Sequence, residues 1–443
     1  MLRRRSQPPA QPEAAQPEAA VEPPAAGLPD APAADAGGPR SMQQHRDFLL
    51  GQVKPLAPFG MSLLDARGLA LCEEIASETD LPGFDNCQMD GYAVHAADIA
   101  AASEARPIVL TVAGAVAAGE AATDPLPRGR AIRVMTGAPL PEGADAVVPF
   151  ESTDRGEQQV QVRSRVAAGE FVRRQGSDVA RGDVLMRRGQ RVDARTIGLL
   201  AGAGIDKVLA RPRPRVVVVS TGKELVEAGC PLTAPGTLYD ANSHLVAAAA
   251  AATGCQVWRV QVPSDEPQRL RETISDQLIR ADLVVTTGGI SEGDHDVVKQ
   301  VMPSLGRCDF AKVAMQPGGP QGFGLVGEDE VPVVMLPGNP VSSYVSFHAF
   351  VRPLIRRLMG VEPVGHQEVS CVAGSVMRSV PGRLQFGRGL VRQEGERRVV
   401  DLAGGHSSHL TADLAMSNAL VLLGEDVEVV NPGERVTCWM LDD

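Results

Sequence analysis

The sequence predicts a multidomain α/β protein, with a central three-layer α/β domain built on a parallel sheet. An inserted β-rich domain, a helical N-terminal region and a C-terminal β-barrel-like domain complete the predicted fold. Its 443 residues exceed what one hydrophobic core organises, so roughly two to four domains are expected. Strands alternate with helices over residues 213–361, which is typical of a parallel sheet covered on both faces. Short β-rich runs interrupted by Gly and Pro fill residues 78–168 and 362–443, which favours small strand-rich domains.

Composition and charge exclude several classes of protein. The chain is 44% hydrophobic and 22% charged, as expected for a soluble globular protein, and only 3% aromatic. Few aromatic residues argue against platforms that stack single-stranded bases, and a net charge of −11 argues against a nucleic-acid partner. An anionic ligand must therefore be held locally, by backbone amides and a few cations.

The cysteines and the N-terminus indicate a cytoplasmic protein. Seven cysteines are dispersed, without a CxxC motif or metal-type spacing to histidine, which is typical of reduced thiols. No apolar run reaches the ~18 residues of a membrane-spanning helix. Pro and Ala follow the basic start MLRRR, so a signal peptide is not expected.

The N-terminal part of the chain divides into a tail and a helical domain. Residues 1–40 are rich in Pro, Ala and Gln and are predicted to be disordered. Residues 41–77 together with 169–212 are interpreted as one elongated helical domain, into which the β-rich domain is inserted.

Two helices are predicted near the start of this domain. The first runs from Gln43, where apolar residues recur on one side. The second is expected to begin at Ser62, because Asp65 three residues later would complete a capping box.

The α/β domain, residues 213–361, has the clearest pattern. Four apolar, β-branched runs are predicted as strands: Arg215–Ser220, Val257–Val262, Leu283–Thr287 and Val331–Leu336. The segments between and after them are predicted as helices: Leu245–Ala252, Ser264–Arg280, Asp296–Met302 and Val341–Met359. In the inserted domain the predicted strands are Ile108–Val112, Ala131–Met135, Ala146–Pro149 and Gln159–Val162.

Three strands of the α/β domain end in unusual polar turns. The turns read STGKE from Ser220, TTGGIS from Thr286 and LPGNP from Leu336. Carboxyl ends of parallel strands meet at one edge of a sheet, where ligands bind. Each glycine turn alone is equally compatible with a plain strand-to-helix connection, but three together predict an anion-binding site.

Acidic residues lie close to the same strand ends. Clustered carboxylates beside phosphate-binding turns suggest Mg²⁺ coordination. Asp265 could instead cap a helix, whereas Glu224 and Asp296 have no equally good structural explanation. The carboxylates in question are Glu224, Asp240, Asp265, Asp294 and Asp296.

Three further segments have unusual chemistry. Leu81–Val94, LPGFDNCQMDGYAV, combines acids, an amide and aromatics in a loop interrupted by Gly and Pro. Arg133–Pro139 is a strand that runs into a polar turn, and a simple β-turn remains an alternative for either segment. Lys312 precedes the Gly/Pro turn QPGGP and is a plausible anion ligand.

Six motifs in fixed order resemble those of a known family. They are LPGFDNCQMDGYAV, MTGAP, STGKEL, TTGGISEGDHD, QPGGPQGFG and LPGNPVSS. Together they are similar to the molybdopterin molybdenumtransferases, the MoeA-type bacterial proteins related to the gephyrin E domain. The resemblance extends from about Met42 to the C-terminus.

The resemblance implies a reaction and an assembly. Adenylyl-molybdopterin would bind, AMP would be released, and molybdate would be placed on the dithiolene sulfurs. It also implies Mg²⁺ dependence and a homodimer in which each active site is shared between chains. Small-molecule substrates are thus the expected partners, with neither nucleic acid nor membrane.

Site residues carry over at the positions that match the motifs. Asp90 and Thr136 would come from the partner chain, and Asp90 would join the catalytic set. Glu224, Asp265 and Asp296 would be the acids of the pocket and ligands of the metal. The remaining expected catalytic or substrate-binding residues are Lys312, Asp178, Thr221, Gly222, Gly288, Gly289, Ser291, Pro337, Gly338, Asn339, Pro340, Arg388 and Ser408.

Two departures from the resemblance concern charge. Gln316 and Gly319 stand beside the Pro-Gly turn where many relatives have lysine, which shifts the expected anion contacts to Lys312, Arg388 and backbone amides. Lys223 stands where an acid is common.

Three alternative functions remain at this level. A molybdopterin adenylyltransferase would act one step earlier and consume ATP, but would lack the β-rich domains. A non-catalytic cofactor-binding scaffold would keep the dimer and lose the acids, whereas Glu224, Asp265 and Asp296 are all present. A duplicated copy with an altered oxyanion preference fits the Gln316 and Gly319 changes.

Overall fold

The structure is a computed structural model with two compact units. It describes residue 28, residues 31–32 and residues 38–441 apart from 121–123, 291–295 and 406. The predicted disorder of residues 1–40 therefore falls almost entirely outside the described residues. One unit comprises Met1–Pro55 with Arg213–Asp443, and the other comprises Leu56–Pro212.

The first described helix, α1 (Met42–Gln52), belongs to the larger unit. Ser41 and Gln44 form a capping box, since the backbone N–H of each residue donates to the side chain of the other. The helix buries Phe48 and Leu49, in agreement with the predicted apolar side. Just before it, the backbone of Arg40 pairs with the segment that follows Lys312.

The smaller unit is built on a five-stranded sheet in the order β7-β4-β6-β5-β8. Two buried apolar clusters cover the sheet, one around Tyr92 and Val148 and the other around Val134 and Val147. Its elements are β1 (Phe59–Ser62), β2 (Ile75–Ala76), β3 (Asn86–Cys87), β4 (Gly91–Val94), β5 (Ile108–Val116), β6 (Arg130–Val134), β7 (Ala146–Pro149), β8 (Gln159–Val162), β9 (Val172–Arg173), β10 (Val184–Met186), α2 (Ala194–Gly202) and β11 (Lys207–Ala210).

The helix predicted from Ser62 is wrong. Ser62 ends β1, which pairs antiparallel with β11, and residues 63–68 form turns. The capping bond itself is present, because the Asp65 N–H donates to Ser62 Oγ at 3.2 Å. Gly68, at φ +84°, then turns the chain to pair with Val192, so only a single turn can form.

The larger unit contains the predicted α/β domain. Its sheet has the order β15-β12-β16-β20-β19-β17, of which the first four strands are parallel. The elements are β12 (Arg215–Thr221), β13 (Leu225–Val226), β14 (Leu238–Tyr239), α3 (Ala241–Ala252), β15 (Gln256–Val262), α4 (Pro267–Leu278), β16 (Leu283–Thr287), α5 (Val297–Val301), β17 (Gly306–Lys312), β18 (Met315–Gln316), β19 (Pro320–Val326) and β20 (Val331–Leu336).

Two antiparallel strands, β17 and β19, extend the sheet beyond the prediction. Its glycines make β19 difficult to recognise as a strand in the sequence. Close packing against the neighbouring strands nevertheless requires glycine at these positions. A Cβ at Gly324 would lie 2.8 Å from Cys308 Sγ, and one at Gly322 would lie 3.0 Å from Met335 Cβ.

The predicted helix Val341–Met359 is interrupted by one π-helical segment. The chain runs through α6 (Pro340–Ser346), a π-helical turn (Phe347–Val351) and α7 (Arg352–Met359). Pro353 lacks an N–H and cannot continue the regular ladder, and the π turn accommodates this break.

The C-terminal part of the larger unit is a closed β-barrel, in agreement with the barrel-like prediction. Strand β23 pairs with both β24 and β25, which closes the ring β23-β24-β21-β27-β25. Its elements are β21 (Glu368–Ala373), β22 (Met377–Arg378), β23 (Leu384–Glu394), β24 (Arg397–Leu402), α8 (Thr411–Ala415), β25 (Ala419–Leu423), β26 (Val429–Val430) and β27 (Arg435–Met440).

Among the described residues, no helix has the length and apolar character needed to cross a membrane.

Candidate functional site

The three predicted glycine turns meet at the carboxyl edge of the parallel strands. Gly288 follows β16, and its N–H donates to Leu336 O at the end of β20 at 3.1 Å. A Cβ at Gly288 would lie 3.5 Å from Thr221 O at the end of β12, and one at Gly338 would lie 3.7 Å from Gly288 Cα. The strand ends are therefore in van der Waals reach of one another, as their sequence positions predict.

Gly289 fixes the middle turn. Its φ is +71°, and an added Cβ would lie 2.6 Å from Val298 Cγ2 on α5. Only glycine fits there, because both the backbone conformation and the helix contact exclude a side chain.

The turn after β12 holds Glu224 against its own backbone. Gly222 has φ +146°, and a Cβ there would lie 2.6 Å from both carboxylate oxygens of Glu224. Glu224 is exposed, and its carboxylate has no hydrogen-bond partner among the residues that the structure describes. It is therefore available to a cation.

Asp265 is engaged by Lys223. The Lys223 Nζ lies 3.1 Å from Asp265 Oδ2, and the Lys223 N–H lies 3.3 Å from Asp265 Oδ1. Asp265 does not cap α4, whose N-cap is Glu266. The lysine of the STGKE turn thus neutralises one of the three predicted acids.

Asp240 is a structural carboxylate. It is buried at the N-terminus of α3 and accepts from Ser220 Oγ at 2.5 Å, from Ser243 Oγ at 2.7 Å and from Ser243 N at 3.0 Å. These bonds satisfy its oxygens, so Asp240 ties β12 to α3.

Asp296 has the opposite environment. It is the N-cap residue of α5 but makes no side-chain capping bond. Its Oδ2 is buried and has no hydrogen-bond partner within the described part of the chain. A buried, unpartnered carboxylate oxygen is costly and is typical of a functional group. Ser291 and Asp294, also expected near this site, lie outside the described residues.

Asn242 on α3 and Ser408 in the loop before α8 hold the LPGNP turn. Asn242 Nδ2 on α3 donates to Gly338 O at 2.6 Å, and Asn339 Nδ2 donates to Ser408 Oγ at 2.9 Å. The Val341 N–H also donates to Ser408 O at 3.1 Å. The predicted residues Asn339 and Ser408 are thus in direct contact, with Pro337, Gly338 and Pro340 in the same turn.

A cleft of about 700 Å³ lies beside this turn. Its walls are the segment from Lys312 to Pro320, which contains the QPGGP turn, together with Ser342, Arg383 and residues 407–409. The cleft therefore collects the predicted Lys312 and Ser408. Glu224, Asp265 and Asp296 are not among its described lining residues.

Arg388 lies beside the cleft and supports its wall. It is 5% exposed, and its Nη1 donates to Ser407 O at 2.9 Å, while its Nε has no partner among the described residues. Burial lowers the pKa of this guanidinium. Arg388 thus fixes the loop that presents Ser408.

The smaller unit brings Asp90 and Thr136 together. Thr136 N and Thr136 Oγ1 both donate to Asp90 Oδ1, at 2.6 and 2.7 Å. The bond from the Thr136 side chain, and after it the bond from the Thr136 backbone, lower the pKa of the Asp90 carboxyl. Asp178 lies on a neighbouring loop, where its N–H donates to Leu81 O at 3.0 Å. No described hydrogen bond connects Asp178 to Asp90 or Thr136.

The described acids do not form a ready-made metal cluster. Among residues that the structure describes, no group of three or more His, Cys, Asp or Glu side chains could hold a metal. The open oxygens of Asp296 and Glu224 fit a cation that prefers oxygen ligands. Asp265 fits less well, because Lys223 holds it.

Sequence reasoning missed several polar residues of the site. Asn242, two residues after Asp240, was not predicted as a site residue. Its position just after the start of a helix is nevertheless one from which an amide can reach a neighbouring turn, here the LPGNP turn. Gln321 was overlooked within β19, where its Nε2 donates to Gly318 O and Ser346 Oγ at 2.6 and 2.7 Å. Arg383, on the cleft wall, has no local signal in the sequence.

Comparison with known proteins agrees with this organisation. Three family models match in succession: the MoeA N-terminal region (domain I and II) at residues 40–204, a probable molybdopterin binding domain at 217–357, and the MoeA C-terminal region (domain IV) at 371–441.

Two curated relatives and one solved structure match over almost their whole length. Molybdopterin molybdenumtransferase 2 of Mycobacterium tuberculosis is 38% identical over 91% of this chain and 100% of its own. Molybdopterin molybdenumtransferase of Haemophilus influenzae is 34% identical over 90% of this chain and 97% of its own. The structure of a molybdopterin biosynthesis MoeA protein from Pyrococcus horikosii has a TM-score of 0.73 at 31% identity, covering 90% of this chain and 98% of that one. The chain therefore belongs to the MoeA family of molybdopterin molybdenumtransferases, with a role in molybdenum cofactor biosynthesis.

Proposed function

We propose that this chain transfers molybdenum to molybdopterin: it takes adenylyl-molybdopterin and molybdate and releases AMP. The observation that carries the proposal is the convergence of three glycine turns at Gly288, together with an Asp296 Oδ2 that is buried and has no hydrogen-bond partner among the described residues. Such an arrangement combines backbone donors for a phosphate with an acid for the group being cleaved.

The turns and the cleft bind different groups of the substrates. The turns after β12, β16 and β20 hold the phosphates of the adenylylated substrate through N–H groups other than those of Gly222, Gly288 and Val341, which already donate to backbone carbonyls. The cleft beside the LPGNP turn, with Lys312 on its wall, holds the oxyanion. Ser408 accepts a hydrogen bond from Asn339 and also lines the cleft, so it connects the LPGNP turn to the cleft.

Magnesium is the cation that this donor set favours. Asp296 and Glu224 would hold it, and Asp265 would join when Lys223 releases it. When bound, Mg²⁺ would neutralise charge on the phosphoanhydride. Asp296 also orients the water that enters the site.

The active assembly is a homodimer in which Asp90 and Thr136 of one chain face the α/β domain of the partner. The Asp90–Thr136 pair supports this role, because two hydrogen bonds from Thr136 hold a half-exposed carboxylate in a fixed position. All seven cysteines are free, which suits a reducing compartment, and the cytoplasm is the proposed location.

Product analysis with purified protein tests the reaction. Adenylyl-molybdopterin should yield AMP in a molybdate-dependent manner that requires Mg²⁺ and is abolished by chelation. Consumption of ATP, with adenylyl-molybdopterin as the product, would instead identify an adenylyltransferase. Binding of adenylyl-molybdopterin without turnover would identify a scaffold.

A further inference from the structure

Lys312 lies on a segment whose main chain is held from both sides. It is the last residue of β17, and the chain continues from it into β18 and the QPGGP turn. On one side, the Val313 N–H donates to Gly319 O at 2.7 Å. On the other side, the Arg40 N–H donates to Lys312 O at 2.9 Å, and the Ala314 N–H donates to Arg40 O at 2.7 Å. The backbone of Arg40 therefore fixes the main chain at Lys312.

The guanidinium of Arg40 is anchored to the same strand. Its Nη2 donates to Asp309 Oδ1 at 2.9 Å, and its Nη1 pairs with Asp309 Oδ2. Its Nε donates to Pro32 O at 2.7 Å, and the group lies over the Phe48 ring, 5.7 Å from the ring centroid. The side chains of Arg40 and Asp309 are only 10% and 12% exposed. A bidentate pair that is shielded from water fixes the orientation of both partners, whereas an exposed pair would not.

Both sets of contacts act on the end of β17. The side chain of Arg40 is fixed to Asp309, and its backbone is paired with Lys312 on the same strand. Arg40 also immediately precedes Ser41, the N-cap of α1, so the contacts join the strand end to a packed helix. The main chain at Lys312 therefore cannot shift without breaking the backbone pairing of Arg40 or its bonds to Asp309.

We propose that Arg40 is a positioning residue for Lys312, and that it sets where the Lys312 ammonium group meets the oxyanion. The inference rests on the proposed function, in which Lys312 lies on the wall of the oxyanion cleft. Arg40 is not among the described residues that line this cleft, so it acts through Lys312 and not on the substrate. A lysine side chain is flexible and ends in a point charge, so its placement depends strongly on its backbone.

Steady-state AMP release by the full chain, measured at varied molybdate concentration, tests this role. Arg40→Gln loses the charged bidentate pair and should raise the KM for molybdate about tenfold, while kcat changes by less than about twofold. Arg40→Lys keeps the charge without the paired geometry and should have an intermediate KM.

Arg215→Gln is the matched control. Arg215 also forms a bidentate pair, in which Nε and Nη2 donate to the two carboxylate oxygens of Asp282 at 3.1 and 2.8 Å. This pair lies at the start of β12, whereas the glycine turns follow the other ends of the parallel strands. The KM for molybdate should therefore remain that of the wild type.

Combined substitutions distinguish positioning from a general loss of structure. In a Lys312→Gln background, Arg40→Gln should raise the KM no further, because the group that Arg40 positions is absent. A merely structural role would instead lower the active fraction, and with it kcat, in both backgrounds. Calorimetric titration with molybdate gives the same comparison where turnover is too slow to measure.

Asp309→Asn and Arg40→Lys replace Arg40→Gln if circular dichroism shows that the glutamine variant is unfolded. A wild-type KM in a folded variant of Arg40 or Asp309 would overturn the role of Arg40 and leave the proposed function intact. An increase in KM that persists in the Lys312→Gln background would overturn it as well. Failure of the wild-type chain to release AMP at any molybdate concentration would overturn both.

Discussion

Two aspartates at neighbouring elements of the α/β domain have opposite environments. Asp240 accepts hydrogen bonds from Ser220 and Ser243, and these bonds compensate for its burial. Asp296 keeps a buried Oδ2 without a partner among the described residues. An uncompensated carboxylate lowers stability, so its presence is explained best by a task in the reaction.

This contrast gives a prediction for Asp296→Asn. The amide keeps the volume but loses the negative charge, so the variant should fold with an unchanged or raised thermal midpoint. AMP release should fall by about 100-fold or more, because the cation or entering nucleophile loses its ligand. Single-turnover measurement of AMP checks this. Asp276→Asn, at an exposed position on α4, is the control and should behave like the wild type. Unchanged AMP release in Asp296→Asn would contradict the assignment.

Residue environments were the part of the site that the sequence could not predict. The acids and turns could be located because strand ends are recognisable and parallel strands bring their ends together. Whether an acid can bind a ligand depends on hydrogen-bond and ion-pair partners that are distant in sequence. Asp265, for example, pairs with Lys223, 42 residues away. Arg383 reaches the site only through the pairing of β18 with β23, which joins two domains of one unit.

At the scale of elements, apolar β-branched runs predicted the strands well. Leu283–Thr287 and Val331–Leu336 have the predicted bounds, because buried parallel strands are continuously apolar. Strand β17, GRCDFAK, is only partly buried at the sheet edge and carries no such pattern. The long last helix was predicted as one element, but Pro353 divides it.

The turns that end these strands should be intolerant of side chains. Gly289→Ala combines an unfavourable φ with a Cβ 2.6 Å from Val298, so we expect a loss of about 2–4 kcal/mol in unfolding free energy. Gly229→Ala is the control, because Gly229 has φ +89° but nothing within 4 Å of an added Cβ. It should cost only about 1 kcal/mol. Urea unfolding of both variants separates the packing clash from the backbone strain. Equal losses would show that the contact with Val298 is relieved by repacking.

At the scale of the whole larger unit, two buried histidines and one half-buried histidine link stability to pH. His348 Nδ1 lies 2.8 Å from His366 Nε2, and His366 stacks on Trp439 with ring centroids 5.1 Å apart. Burial, followed by the charge of Arg352, lowers the pKa of His366 to about 3, and burial lowers the pKa of His348 well below its usual value. Burial, followed by the charge of Arg40, lowers the pKa of His45 to about 4.

These lowered pKa values determine whether acid stabilises or destabilises the folded chain. The histidines take up protons near pH 6.5 when unfolded but resist protonation when folded, so acid favours the unfolded chain. Stability should be fully present above about pH 6.5 and fall by up to about 1.4 kcal/mol per pH unit for each histidine toward pH 4. Urea midpoints measured from pH 7.5 to 5 check this.

Substitutions identify the histidines responsible. His366→Gln should make the slope shallower. A stability that does not change between pH 7.5 and 5 would contradict the role of the buried ring pair.

The proposal that each active site is shared between two chains predicts the activity of mixed dimers. Asp90 and Asp296 belong to different compact units, and the proposal assigns them to one site from two chains. Asp90→Ala and Asp296→Ala should each be inactive as homodimers. After subunit exchange, about half of the dimers are mixed and each mixed dimer has one intact site, so about a quarter of wild-type AMP release should return. If each chain instead built its own site, every site in the mixture would lack one carboxylate and no activity would return. Recovery that depends on mixing therefore distinguishes a shared site from a self-contained one without requiring a structure of the assembly.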